Sequence, residues 1–72
     1  MHEVMLRKLA DRIKELRKEN KLTQEELADK SGVSYKHIQK LEGKSLHDPK
    51  LDTLRKIAGA FNISISELLK SI

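Results

Sequence analysis

The sequence predicts an all-α fold of five helices, and three observations carry that prediction. Helix-forming Leu, Lys, Glu, Arg and Ala dominate, while the aromatic residues are only Tyr35 and Phe61. Apolar residues recur at helical spacing over most of the chain. Helix-start signals punctuate it at Thr23, Ser34, Asp48 and Ser64. Strand-like alternation is confined to Ile63 and Ile65, a stretch too short to pair usefully.

The first helix is expected from about Val4 to Glu19, with Leu6, Leu9, Ala10, Ile13 and Leu16 on one face. Asn20-Lys21 breaks that pattern. Thr23-Gln-Glu-Glu26 is a capping box: the hydroxyl accepts from the amide three residues on, and Glu26 reaches back to the Thr23 amide. The second helix turns Leu27 and Ala28 inward and stops at Ser31-Gly32, where Gly suits a left-handed residue. Ser34 caps a third helix with Ile38 and Leu41 as its apolar positions, and Gly43 ends it. Asp48-Pro49 reads as a cap followed by Pro at the first helical position. The fourth helix then carries Leu51, Leu54, Ile57, Ala58 and Phe61, with Gly59 inside it as a site of close helix approach. Ser64-Ile-Ser-Glu67 is a second capping box, opening a short fifth helix with Leu68 and Leu69.

Seventy-two residues (8.3 kDa) make one domain over 1–72, with a small core and little room for an enclosing catalytic cleft. The absence of Cys excludes disulfides, thiolate metal sites and cysteine nucleophiles. His2, His37 and His47 lie 35 and 10 residues apart, which matches no helical metal site, and the Ser residues are accounted for as caps and loop positions. No enzyme activity, metal or cofactor is therefore expected. Charged residues are 36% of the chain and the mean hydropathy is −0.59, so no apolar run approaches the ~18 residues of a membrane span. MHEVMLRK lacks an apolar stretch of signal-peptide length, and a cytoplasmic protein is expected. The net charge of +4 and pI near 9.5 suit a phosphate backbone, although a charge of that size also simply keeps a small domain soluble.

The segment from Gln24 to Gly43 decides between those meanings. Two short helices flank a turn containing Gly32, and Ala28, four residues earlier, is small enough for the helices to cross closely. Val33, Ile38 and Leu41 fasten the second of them, leaving Tyr35, Lys36, Gln39 and Lys40 outward and His37 near the edge. Residues 30 to 41 contain Lys30, Lys36 and Lys40 and no acid. Lys and Gln are hydrogen-bonding readers of base edges in the major groove, and a helix N-terminus such as that at Gln24 receives a phosphate. A plain helix bundle with a solvated basic face is the alternative, and the spacing of Ala28, Gly32, Val33, Ile38 and Leu41 favours a motif that binds double-stranded DNA.

The chain resembles the lambda-repressor-like helix-turn-helix family, the Cro/C1 or XRE type, from about Leu6 to Leu69. The residues that carry the resemblance are Ile13, Leu16-Arg17, Leu22-Thr-Gln-Glu-Glu-Leu-Ala28, Ser31-Gly-Val-Ser34, Ile38, and Leu41-Glu-Gly-Lys44. Pro49–Leu54, Ile57-Ala58 and Ile63–Leu69 complete it. It implies a compact five-helix DNA-binding domain and a transcriptional regulator, usually a homodimer on a palindromic operator, whose third helix enters the major groove. On that basis Tyr35, Lys36, Gln39 and Lys40 are expected to read bases, and Thr23, Gln24, Ser34, His37 and Lys44 to meet phosphates. The resemblance also implies an ion pair between Arg17 and Glu42, tying the first helix to the third. Two departures stand out. No residue separates Glu42 from Gly43-Lys44, and Tyr35 replaces the Arg or Gln frequent there.

Relatives of this kind also serve as antitoxins and adaptors, so a protein partner such as a toxin is the competing expectation. Retention of Lys36, Gln39 and Lys40 argues for DNA. Phe61, Ile63, Ile65, Leu68 and Ile72 exceed what one short helix can bury, and they are the expected two-fold dimer contact. The competing expectation is that Ile63, Ile65 and Leu68 only close the core.

Overall fold

A computed structural model describes residues 3–43, 48–70 and 72, which form α1 (Glu3–Glu19), α2 (Gln24–Ser31), α3 (Tyr35–Glu42), α4 (Leu51–Ala60) and α5 (Ile65–Leu68). The stripe Leu6, Leu9, Ala10, Ile13 and Leu16 is the buried side of α1. Both arms of the Thr23 box are made: Oγ1 accepts from the Glu26 amide at 3.0 Å, and the Thr23 amide donates to Glu26 Oε1 at 2.9 Å. Gly32 ends α2 at φ 77°, its amide donating to the Ala28 carbonyl at 2.9 Å. A Cβ there would meet no neighbour, so Gly is required by conformation and not by space.

The start of α4 differs from expectation. Asp48 and Pro49 precede it outside the helix, and Lys50 is its N-cap in extended conformation (φ −74°, ψ 153°) without a side-chain cap bond. The fixed φ of proline suits extended chain as well as a first helical turn, and Pro49 is buried ahead of the helix. Leu51, at the first turn, is 68% exposed and leaves the core to Leu54, Ile57 and Ala58. Gly59 does not serve a close helix approach either: it is exposed, and a Cβ built on it meets nothing within 4 Å. Gly59→Ala should therefore stabilise the domain by roughly 0.5–1 kcal/mol, through helix propensity alone. A urea midpoint at or below that of the parent would contradict this. On the exposed side of α4, Asp52 pairs with Arg55 at 2.7 Å and Lys56 at 3.5 Å. The Arg55 hydrogen bond holds the Asp52 carboxyl below its ordinary pKa.

After α4 the chain reverses sharply. Asn62 takes a left-handed conformation (φ 58°) and the Ile63 amide donates back to the Ala58 carbonyl at 3.0 Å. Ser64 Oγ accepts from the Glu67 amide at 3.0 Å and starts α5. This reversal lays the C-terminal apolar residues over the domain. Phe61 and Leu68 are buried within the single chain, so neither is available as dimer surface; Ile63, Ile65 and Ile72 pack half-buried against the core. Leu9, Ile13, Leu27, Ile38, Ile57 and Leu68 are its largest fully buried side chains among the described residues, drawn from all five helices. The helices pack α2 against α3 and α4, α1 against α3, and α4 against α5. Among the described residues, no helix is long and apolar enough to cross a membrane.

Candidate nucleic-acid interface

The turn between α2 and α3 is held by its own side chains. Buried Ser31 donates from Oγ to the Ala28 carbonyl (3.3 Å) and accepts from the Val33 amide (3.1 Å). That bridge satisfies an amide the left-handed Gly32 turn leaves without a helical partner. Ser34 Oγ then accepts from the His37 amide at 3.2 Å and begins α3. The bridging role of Ser31 is not visible in local spacing, because it depends on the burial of the turn.

The other end of α3 is tied to α1. Arg17 presents Nε to Glu42 Oε2 (2.8 Å) and Nη2 to Oε1 (3.0 Å), a bidentate pair. Arg17 Nη1 also donates to the Leu22 carbonyl at 2.8 Å, while the Leu22 amide donates to the Arg17 carbonyl at 3.0 Å. One guanidinium thus closes the α1–α2 turn, where Lys21 sits at φ 56°, and grips α3. Gln24 Nε2 joins at 3.3 Å to Glu42 Oε1, so the first residue of α2 shares the same carboxylate. The Glu42 side chain is 1% exposed and that of Arg17 is 14% exposed. Lys would supply a single point charge here and could not make this fork.

With Ile38, Leu41 and Glu42 buried, the ~100° per residue of a helix fixes the opposite face of α3. Lys36 and Lys40 stand at its centre, with Gln39 and Tyr35 toward one edge; all four are exposed. His37 is half-buried on the other edge, and with Ser34, Lys36 and Lys40 it lines a shallow open depression of about 270 Å³. Of the remaining predicted contacts, Thr23 and Ser34 lie at the N-termini of α2 and α3, each with its hydroxyl oxygen used as a cap acceptor and its proton available to donate. Gln24 spends one N–H on Glu42 and keeps a second, so its carboxamide is pre-oriented and not free-swinging. Lys44 lies outside the described residues. Phe61, Ile63, Ile65, Leu68 and Ile72 belong to the C-terminal segment from the end of α4 onward, not to the outward face of α3.

The sequence profile of the helix-turn-helix family matches residues 13–68. The chain is 39% identical over 61 residues to an immunity repressor protein of Bacillus phage phi105, covering 85% of this chain and 42% of that protein. It is 31% identical over 65 residues to the HTH-type transcriptional regulator DdrOP3 of Deinococcus deserti, covering 90% and 50%. It is also 31% identical over 61 residues to the HTH-type transcriptional regulator SinR of Bacillus subtilis, covering 85% and 55%. The chain spans about half the length of these curated relatives. A profile match from Ile13 to Leu68 takes in the capped α2, the Gly32 turn, α3 and both Arg17 and Glu42 of its tie to α1, and the chain belongs to the XRE, or Cro/C1-type, helix-turn-helix family of DNA-binding regulators.

Proposed function

We propose that this domain is a sequence-specific, double-stranded-DNA-binding transcriptional regulator of the cytoplasm, with α3 reading the major groove as part of a homodimer on a palindromic operator. The observation that carries this is the outward face of α3. Tyr35, Lys36, Gln39 and Lys40 are exposed on a helix whose inner side is locked by Ile38, Leu41 and the Arg17–Glu42 pair. Nothing in a packed core explains two lysines and a glutamine kept together without an acid. The repressor and regulator names of the similar proteins support the same reading. Thr23, Gln24, Ser34, His37 and Lys44 are assigned to the phosphates.

Selection of bound sequences from a random duplex pool tests it, and should return a two-fold-symmetric site with half-sites about one helical turn apart, ~34 Å. Affinity for that site should fall with salt at a log–log slope of about −5 to −7 if a dimer neutralises ~6–8 phosphates. Lys36→Ala should cost ~1–3 kcal/mol and relax preference at one base position, whereas Gln24→Ala should weaken all sites alike. A flat salt response, or an unchanged selected sequence with Lys36→Ala, would overturn the proposed face.

For the dimer, Ile63, Ile65 and Ile72 retain partial exposure and form the two-fold contact. That patch is remote in sequence from α3 and leaves the reading face free. Ile65→Lys and Ile72→Lys should convert a dimer into a monomer in sedimentation at micromolar protein without changing helical content. A wild-type monomer, or variants that still dimerise, would exclude this placement.

A further inference from the structure

We infer that α3 selects three adjacent base pairs by their purines: guanine under Lys36 and under Lys40, and adenine under Gln39. The inference rests on the DNA-reading function proposed above and names the kind of half-site that function takes.

The chemistry follows from which groups face outward. Lys36 and Lys40 are exposed at the centre of the face, and each supplies donors only. The guanine major-groove edge is the one that offers two acceptors, O6 and N7. Gln39, exposed beside them, carries a donor and an acceptor on one planar amide, the complement of adenine N6 and N7. A cytosine is read by a carboxylate accepting from its N4 amino group, and α3 has no such group to offer. Its one acid, Glu42, is buried, with both oxygens engaged by Arg17 and one of them also by Gln24.

Spacing agrees with adjacent pairs. Lys36 and Lys40 are one turn apart, about 6 Å along the helix axis at ~1.5 Å per residue, and Gln39 lies between them in height. Base pairs are about 3.4 Å apart, so the three side chains span roughly two steps, or three adjacent pairs. Tyr35, at the edge of the face, flanks that run.

The experiment takes the duplex obtained by selection and replaces its purines one at a time by 7-deazaguanine or 7-deazaadenine. This removes N7 and leaves Watson–Crick pairing intact. Binding of the wild-type chain is read by fluorescence anisotropy, so the loss at each purine is measured without any variant. Affinity should fall roughly ten-fold at each of three neighbouring purines of a half-site. Each loss should disappear in one matching variant among Lys36→Ala, Gln39→Ala and Lys40→Ala. A selected site that binds tightly yet is indifferent to every deaza replacement would overturn the purine assignment and leave the DNA-reading function standing. If no sequence is enriched and all duplexes bind alike, sequence-specific reading fails, and the purine assignment with it.

Discussion

Glu42→Ala is expected to lower the unfolding free energy by about 3 kcal/mol or more, and the melting temperature by roughly 15–30 °C. Its carboxylate is among the most buried polar groups of the chain, at 1% side-chain exposure, and it receives two hydrogen bonds from Arg17 and one from Gln24. Truncation leaves the half-buried Arg17 guanidinium with the Leu22 carbonyl as its remaining described partner. An uncompensated charge in that position costs more than the intact pair contributes, because desolvation persists while the attraction is gone. The expected contrast is the double variant Arg17→Met/Glu42→Leu, which removes both charges and should recover most of the loss. Urea denaturation followed by circular dichroism measures both. A loss below ~1 kcal/mol for Glu42→Ala would show that the pair is solvated and does not tie α1 to α3.

Ile38→Ala is expected to cost about 2–5 kcal/mol, and Ile38→Val about 0.5–1.5 kcal/mol. Ile38 is fully buried at 0% exposure on the inner side of α3, directly opposite the outward residues. The cavity left by Ala lies under α3, so DNA affinity should fall in step with the folded fraction. Gln39→Ala, one residue on and exposed, should lose DNA selectivity with stability changed by less than ~0.5 kcal/mol. Denaturation midpoints and anisotropy on the same samples separate the two effects. Equal stability losses at 38 and 39 would mean that the inner and outer faces of α3 are wrongly assigned.

Most of the helices are legible because their signals are local. The Thr23–Glu26 box, the Ser34 cap, the Gly32 stop and the α1 stripe involve residues at most a few positions apart, and each is realised. The outward face of α3 follows from the same periodicity once Ile38 and Leu41 are taken as inward. The Arg17–Glu42 pair, 25 residues apart, came from family resemblance and not from spacing; the structure supplies its fork geometry and the added grip on Leu22.

By itself, then, the sequence determined a basic, cysteine-free, all-α domain and which side of α3 turns outward, since capping and amphipathic spacing act within a turn or two. Tertiary structure alone decided the rest. Asp48-Pro49 precedes α4 instead of starting it, with Pro49 buried and Lys50 as the N-cap. Leu51 and Gly59 face solvent because Leu54, Ile57 and Ala58 already occupy the inner side of α4. The left-handed Asn62 turn folds Phe61 and Leu68 into the core, where local hydrophobicity alone had suggested surface. Burial is a property of what another segment brings to the same place, and no pattern within one segment contains it.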